Sequence, residues 1–363
     1  MSAYDLITSI LPTFFYTQLF ITPSAPSTSC AGKTVIVTGA NTGLGKEAAR
    51  KFVQLGAEKV ILGCRNAGKG EAAKREIEAS EGREGVVEVW ELDLGDYGSV
   101  GRFVERAKGL RRLDVVVENA GINTNKFVEV GGNESTITVN VVSTFLLALL
   151  ILPKLQETAK LQGTTPNLTI VSSEVHFFTA FPERKDPSIF PALNDPSKAR
   201  MMDRYNVSKL LEVFACREIA RLHPVSDMRV TLNFLSKDPP PTHPPRKPIP
   251  SPTPAEHLTN PYCYTDPGLC HSELQRDVPS YLRPLVNTFM LLARTTEVGA
   301  RTLVHAALAG PETHGKYLSD NRVRGCANLV EGPEGAEVQR RVWGELGGIL
   351  EGIRPGITKV LDA

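Results

Sequence analysis

The chain has 363 residues, with 41 Lys and Arg against 40 Asp and Glu, and 41% of its residues are hydrophobic. That length suits one large α/β domain or two small ones. A formal net charge of +1 without a basic run argues against nucleic acid as the main partner. Six cysteines, Cys30, Cys64, Cys216, Cys263, Cys270 and Cys326, are scattered without a C-x-x-C pair, so no metal or redox site is expected and free thiols in a reducing compartment are.

An apolar stretch over residues 6–22 is broken by Pro12, Gln18 and several threonines. It falls short of the roughly 20 continuous apolar residues of a membrane span. No Lys or Arg precedes Lys33, so the basic start of a signal peptide is missing. Residues 1–32 therefore read as an apolar arm packed on the domain near its substrate mouth, preferred over a membrane-surface anchor, and a soluble, cytoplasmic protein is expected.

Lys33–Gly45 (KTVIVTGANTGLG) is a buried β-branched strand running into a glycine turn and then a helix. Gly39, Gly43 and Gly45 let the chain turn tightly and approach a ligand, and the helix start offers unpaired amides to a pyrophosphate. The helix ends at Gly56, and Lys59–Gly63 (KVILG) is the second buried strand. An acidic residue after this strand would take a ribose 2′-hydroxyl, whereas Arg suits a 2′-phosphate. Here Cys64, Arg65 and Asn66 follow, so Arg65 favours NADP(H) over NAD(H), with a solvated loop arginine as the plainer alternative.

A helix over Ala67–Ser80 and a strand over Val86–Leu92 lead to Asp93 and Leu94, where Asp93 is also placed to cap the next helix. Leu113–Val117 is the fourth strand, followed by Glu118, Asn119, Ala120 and Gly121; Glu134–Leu155 is a long helix carrying Asn140. The fifth strand, Asn167–Val171, ends at Ser172 and Ser173, a pair that turn chemistry alone can explain. The segment from Ser173 to Tyr205 holds His176, Phe177, Phe178 and Phe181, either as a lid over an apolar substrate or as a loop packing its own aromatics on the body.

Tyr205 and Lys209 lie four residues apart on the next helix, which runs to about His223, so both face the same side. A free phenol has a pKa of about 10. A neighbouring ammonium favours the phenolate and brings that value toward neutrality. The same pair on an ordinary surface helix would mean nothing; following a Ser-Ser strand end and a glycine turn, it points to acid–base chemistry.

Thr38–Gly45, Asp93, Asn119–Gly121, Asn140, Ser173 and Tyr205–Lys209 occur in that order over about residues 33–235. In this the sequence resembles the short-chain dehydrogenase/reductase family, most of all its fungal, retinol-dehydrogenase-like members. The resemblance implies that Tyr205 is the general acid/base and that Ser173 hydrogen-bonds the reacting oxygen. It implies that Lys209 tunes Tyr205 and holds the nicotinamide ribose, and that Asn140 holds a water linking Lys209 to solvent. Cofactor contacts are expected from Thr38, Gly39, Asn41, Gly43, Leu44 and Gly45, from Asp93 and Leu94 at the adenine, and from Asn119, Ala120 and Gly121. Glu118 departs from the family's Asn-Asn-Ala-Gly turn.

Arg229–Phe234 is the sixth strand. In the family a Pro-Gly turn that grips the nicotinamide follows almost at once. Here Pro267 and Gly268, with Ser272 after them, come only after a proline-dense insertion over about residues 236–264. So many prolines lack the backbone donors for helix or sheet, leaving a surface excursion, a docking ligand or translated non-coding sequence. Helices over Tyr281–Leu292 and Val298–Ala309, a final edge strand over Gly315–Leu318 and a last helix over Glu337–Leu350 anchored by Trp343 complete the chain.

The expected architecture is a single doubly wound α/β domain with a mainly parallel sheet over residues 33–330 and a helical tail over 331–363. The expected activity is NADP(H)-dependent interconversion of a carbonyl and an alcohol on an apolar small molecule, with a homo-oligomer left open. The alternatives are an NAD-dependent alcohol dehydrogenase and a non-catalytic nucleotide-binding protein disabled by the insertion.

Overall fold

A computed structural model describes residues 22–236, 294–319 and 321–362. The apolar arm up to residue 21, the insertion beyond Ser236, the Tyr281–Leu292 helix and the Pro267, Gly268 and Ser272 contacts lie outside the described residues. Residues from 22 onward run along the domain, where the Pro23 carbonyl accepts from Arg301 Nη1 at 2.9 Å.

The β-branched runs become the strands β1 (Thr34–Thr38), β2 (Lys59–Cys64), β3 (Val87–Glu91) and β4 (Val115–Glu118). A two-residue ladder, β5 (Glu129–Val130) with β6 (Asn133–Glu134), stands apart from the main sheet. β7 (Asn167–Ser172), β8 (Thr231–Ser236), β9 (Tyr317–Ser319) and β10 (Arg322–Arg324) complete the set. The main sheet has the order 3-2-1-4-7-8-9-10, parallel throughout except for the antiparallel pairing of β10 with β9. The expected final strand is therefore not the edge. The edge is β10, whose alternation of Arg and Val carries no apolar face for a core, so the sequence pattern does not mark it.

Side chains alternate across β1, so Val35 and Val37 enter one core and Ile36 the other. The first core lies under helices α1 (Gly43–Gln54), α2 (Ala67–Glu81) and α6 (Thr296–Ala307). The second lies under α3 (Tyr97–Lys108), α4 (Ser135–Gln162), α5 (Met201–Leu222) and α7 (Gly335–Ile353). Helices cover both faces, which is the doubly wound arrangement. By length and composition α4 would cross a membrane, but 89% of its apolar window is buried inside the protein.

Four local expectations change. Asp96, not Asp93, caps α3, because its side chain accepts from Gly98 N at 2.8 Å, while Asp93 Oδ1 takes Gly95 N. The helix read as continuous from Glu134 starts at Ser135, with Glu134 accepting from Thr136 N and Ile137 N, and then opens into a π turn over Thr138–Val142. The aromatics between Ser173 and Tyr205 do not act as one group: His176, Phe181 and Phe190 are buried against the body, while Phe177 and Phe178 are half-buried. In α7 the anchor is the buried stripe Val338, Val342, Leu346 and Leu350, spaced for one helical face, with Trp343 only partly buried beside it.

Candidate active site

The C-terminal ends of β1, β2, β3 and β4 converge on a cleft of about 370 Å³. Gly39 and Gly43 adopt φ of +65° and +59°, which side chains rarely follow. A Cβ on Gly45 would lie 2.5 Å from Asn119 Nδ2 and 2.6 Å from Gly39 O, so the turn closes only around glycine there. Asn119 stitches the turn to β4 by donating from Nδ2 to Thr38 O at 2.9 Å, and Ala120 N donates to Thr38 Oγ1 at 2.9 Å. The N-cap residue Thr42 makes no side-chain capping bond, and among the described residues a Cβ on Gly43 would meet no neighbour. The helix end is therefore free to receive an anion, as a dinucleotide pyrophosphate requires.

Asn41, Leu44, Asp93, Leu94, Asn119, Ala120, Gly121 and Arg65 all line this cleft. Lys69 lines it too, one helical turn beyond Arg65 and donating its backbone N–H to the α2 cap Asn66 at 2.9 Å. Both Arg65 and Lys69 are exposed, so the rim beyond β2 presents two cations, and among the described residues lining the cleft the carboxylate is Asp93, at the end of β3. That donor set fits a phosphorylated dinucleotide. The sequence reading missed Lys69, although its spacing of four from Arg65 was the available signal.

Asn140 sits in the π turn, fully buried. Its Oδ1 accepts from Ile122 N at 2.8 Å, and its Nδ2 donates to Ile122 O at 2.9 Å and to Ser208 Oγ at 3.0 Å. A regular helix would have turned this amide elsewhere; an extra residue in one turn re-aims it, a frequent use of π bulges at functional sites. The side chain thus clamps the loop that follows Gly121 onto α5.

Tyr205 is half-buried in the second turn of α5, and Lys209 Nζ stands 5.7 Å from the centre of its ring. Lys209 Nζ donates to Val171 O at 2.9 Å and to Glu212 Oε1 at 2.7 Å. Ser172 Oγ donates to Lys209 O at 2.9 Å, so α5 is tied twice to the end of β7. Ser173 follows there, buried, with its hydroxyl accepting from Val175 N at 3.4 Å. A Cβ on Gly121 would lie 3.9 Å from Lys209 Nζ, which puts the lysine at the rim of the dinucleotide cleft.

Two charged neighbours, Arg204 and Glu212, are absent from the sequence-based expectations, and a third, Glu118, enters them only as a departure from the turn. Arg204 is buried beside Tyr205, with its Nε 3.6 Å from Glu134 Oε2, and joins the start of α5 to the start of α4. Glu212 pairs with Lys209, and Glu118 lies buried at the end of β4. An i,i+3 Lys–Glu spacing was visible for Glu212; nothing in the sequence signals that Arg204 turns inward.

A parallel sheet in this order, a glycine turn feeding an uncapped helix and a Tyr–Lys helix beside it define a dinucleotide-binding oxidoreductase fold. Residues 33–178 match the short chain dehydrogenase family model. The chain is 44% identical over 351 residues to the short chain dehydrogenase/reductase dmxR8 of Cryptosporiopsis sp., covering 95% of this chain and 98% of the relative. It is 46% identical over 318 residues to the short chain dehydrogenase atnD of Emericella nidulans, covering 86% and 91%. The fold is shared with a 3-oxoacyl (acyl-carrier-protein) reductase from Agrobacterium tumefaciens C58 with NADP bound, at 18% identity and a TM-score of 0.54, covering 80% of this chain and 93% of that one. The protein belongs to the short-chain dehydrogenase/reductase family, whose members are oxidoreductases that use a nicotinamide dinucleotide.

Proposed function

We propose that the protein is an NADP(H)-dependent oxidoreductase that interconverts a carbonyl and an alcohol on a small molecule, working in the cytoplasm. The observation that carries this reading is Lys209, which lies within 5.7 Å of the Tyr205 ring and bonds the carbonyl of Val171, two residues before Ser173. The cation beside the phenol favours its ionised form and so eases proton exchange near neutral pH. Tyr205 Oη gives its proton to the substrate oxygen on reduction and takes it back on oxidation, while Ser173 Oγ donates a hydrogen bond to that oxygen. When bound, the nicotinamide supplies or accepts the hydride. The start of α1 holds the pyrophosphate, and Arg65 with Lys69 holds the 2′-phosphate. Among the described residues the thiols of Cys30, Cys64, Cys216 and Cys326 are buried and free, which supports a reducing compartment.

Tyr205→Phe is expected to lower turnover by at least about a hundredfold, the range of a lost general acid, while the Kd for NADPH stays within a factor of two. Steady-state kinetics and a fluorescence titration measure the two, and retained turnover would remove Tyr205 from the role. Arg65→Asp is expected to shift the NADPH/NADH ratio of kcat/KM toward NADH by about tenfold or more, since it replaces an anion clamp with a ribose-hydroxyl acceptor. An unchanged ratio would instead support NAD as the cofactor.

A further inference from the structure

The family turn after β4 is altered at one residue, Glu118, and the alteration is buried. Glu118 is 3% exposed, and neither carboxylate oxygen has a hydrogen-bond partner among the described residues. It stands opposite Ile170 in β7, one residue before the Val171 carbonyl that Lys209 bonds. Glu212, 1% exposed, takes the other Lys209 bond. One turn further along α5, burial first and then the neighbouring Glu212 hold the Cys216 thiol well above the ordinary thiol range, with Glu118 close by. Glu118, Glu212 and Cys216 therefore form one cluster beneath Lys209.

Among the described residues Lys209 is the cation that bonds the cluster, and Cys216 faces the carboxyls from α5, with Cys326 and the Arg217 guanidinium behind it. The flanking strands β1 and β7 carry no ionisable residue. Two carboxylates here would leave one charge buried without a counter-ion, a state proteins avoid by taking up a proton. Glu212 holds the lysine contact. Burial, with the Glu212 charge beside it, pushes Glu118 well above the usual carboxylate range.

We propose that Glu118 is kept as a neutral acid and that the Glu118–Glu212 pair, bearing a single negative charge, is the positioning device that balances Lys209 and sets the field it exerts on Tyr205. This rests on the acid–base reading of Tyr205 only for its consequence. The proton on Glu118 belongs to the unliganded protein.

In Glu212→Gln the direct 2.7 Å carboxylate contact to Lys209 is lost, and a Glu118 carboxylate formed in its place does not bond the ammonium, so the cation is offset less and the Tyr205 phenol ionises more readily. If Lys209 instead sheds its proton, it can no longer resupply Tyr205. Both routes end carbonyl reduction at a lower pH.

The experiment uses the whole protein. Infrared spectra of the unliganded wild type at pH 7 are expected to show a protonated-carboxyl band that Glu118→Gln removes and that titrates at lower pH in Glu212→Gln. The alkaline limb of kcat/KM for reduction with NADPH is expected to move down by about one pH unit or more in Glu212→Gln and to return in Glu212→Asp. If Glu118→Gln does not fold, the band shift in Glu212→Gln decides. Absence of a Glu118 carboxyl band at pH 7, or an unmoved alkaline limb, overturns the proposal. A band present while Tyr205→Phe remains active would sink the assignment of Tyr205 and leave the neutral Glu118 standing.

Discussion

His176 shows how much a single buried side chain near the site contributes. Its Nδ1–H donates to Ser173 O at 2.7 Å, and its ring meets Tyr317 edge-on at 5.1 Å. Burial lowers its pKa to about 4. In the unfolded chain it takes a proton near pH 6.5. Between those values the unfolded chain binds a proton that the folded one refuses, so stability falls as pH drops from about 6.5 to about 4, by on the order of 3 kcal/mol. His176→Gln keeps a donor for Ser173 O and cannot charge. Its urea midpoint is expected to fall less steeply than the wild type's across that window, and parallel curves would refute the assignment. Tyr205 and Lys209 were legible at this scale because a helix converts a spacing of four into one face. Arg204 and Glu118 were not, since burial of a charge depends on partners that are remote in sequence, such as Glu134 and Glu212.

Among elements, α4 carries the sharpest departure from a pattern-based reading. Apolar periodicity predicts a plain helix, and the hydrogen-bond slip at Thr138–Val142 leaves no mark in composition. Its purpose is visible only with the loop after Gly121 in place, where Asn140 satisfies both backbone groups of Ile122. Removing that amide in Asn140→Ala leaves the half-buried Ile122 donor and acceptor unpaired, with an expected loss of about 1–2 kcal/mol. Because Ile122 lines the dinucleotide cleft, the Kd for NADPH should also rise. Thermal unfolding with and without NADPH checks this; an unchanged midpoint and Kd would mean that the clamp is dispensable. The strands β1, β2, β4 and β7 were placed to within a residue or two, because fully buried parallel strands appear as short β-branched runs.

For the molecule as a whole, the C-terminal segment closes the second core. α7 lays Val338, Val342, Leu346 and Leu350 against α5 and its neighbours. Arg341 donates to the carbonyls of Arg184 and Asp186, each at 2.6 Å, and Glu345 accepts from Ile189 N and Phe190 N, each at 3.0 Å. The tail thereby also fixes the segment between Ser173 and Tyr205. Deleting residues 333–363 exposes the apolar stripe of α5 and is expected to yield aggregated protein in analytical sedimentation. A monomer with wild-type melting would show the tail to be dispensable.

The residues alone determined the run of buried parallel strands, the glycine turn and the Tyr205–Lys209 pair, because each is a local matter of backbone freedom or short-range periodicity. Tertiary structure decided which charges are buried, where Asn140 points, that β10 and not β9 ends the sheet, and which aromatics beyond Ser173, namely His176, Phe181 and Phe190, belong to the interior. Those outcomes turn on desolvation and packing between segments distant in the chain, and no window of sequence contains both partners.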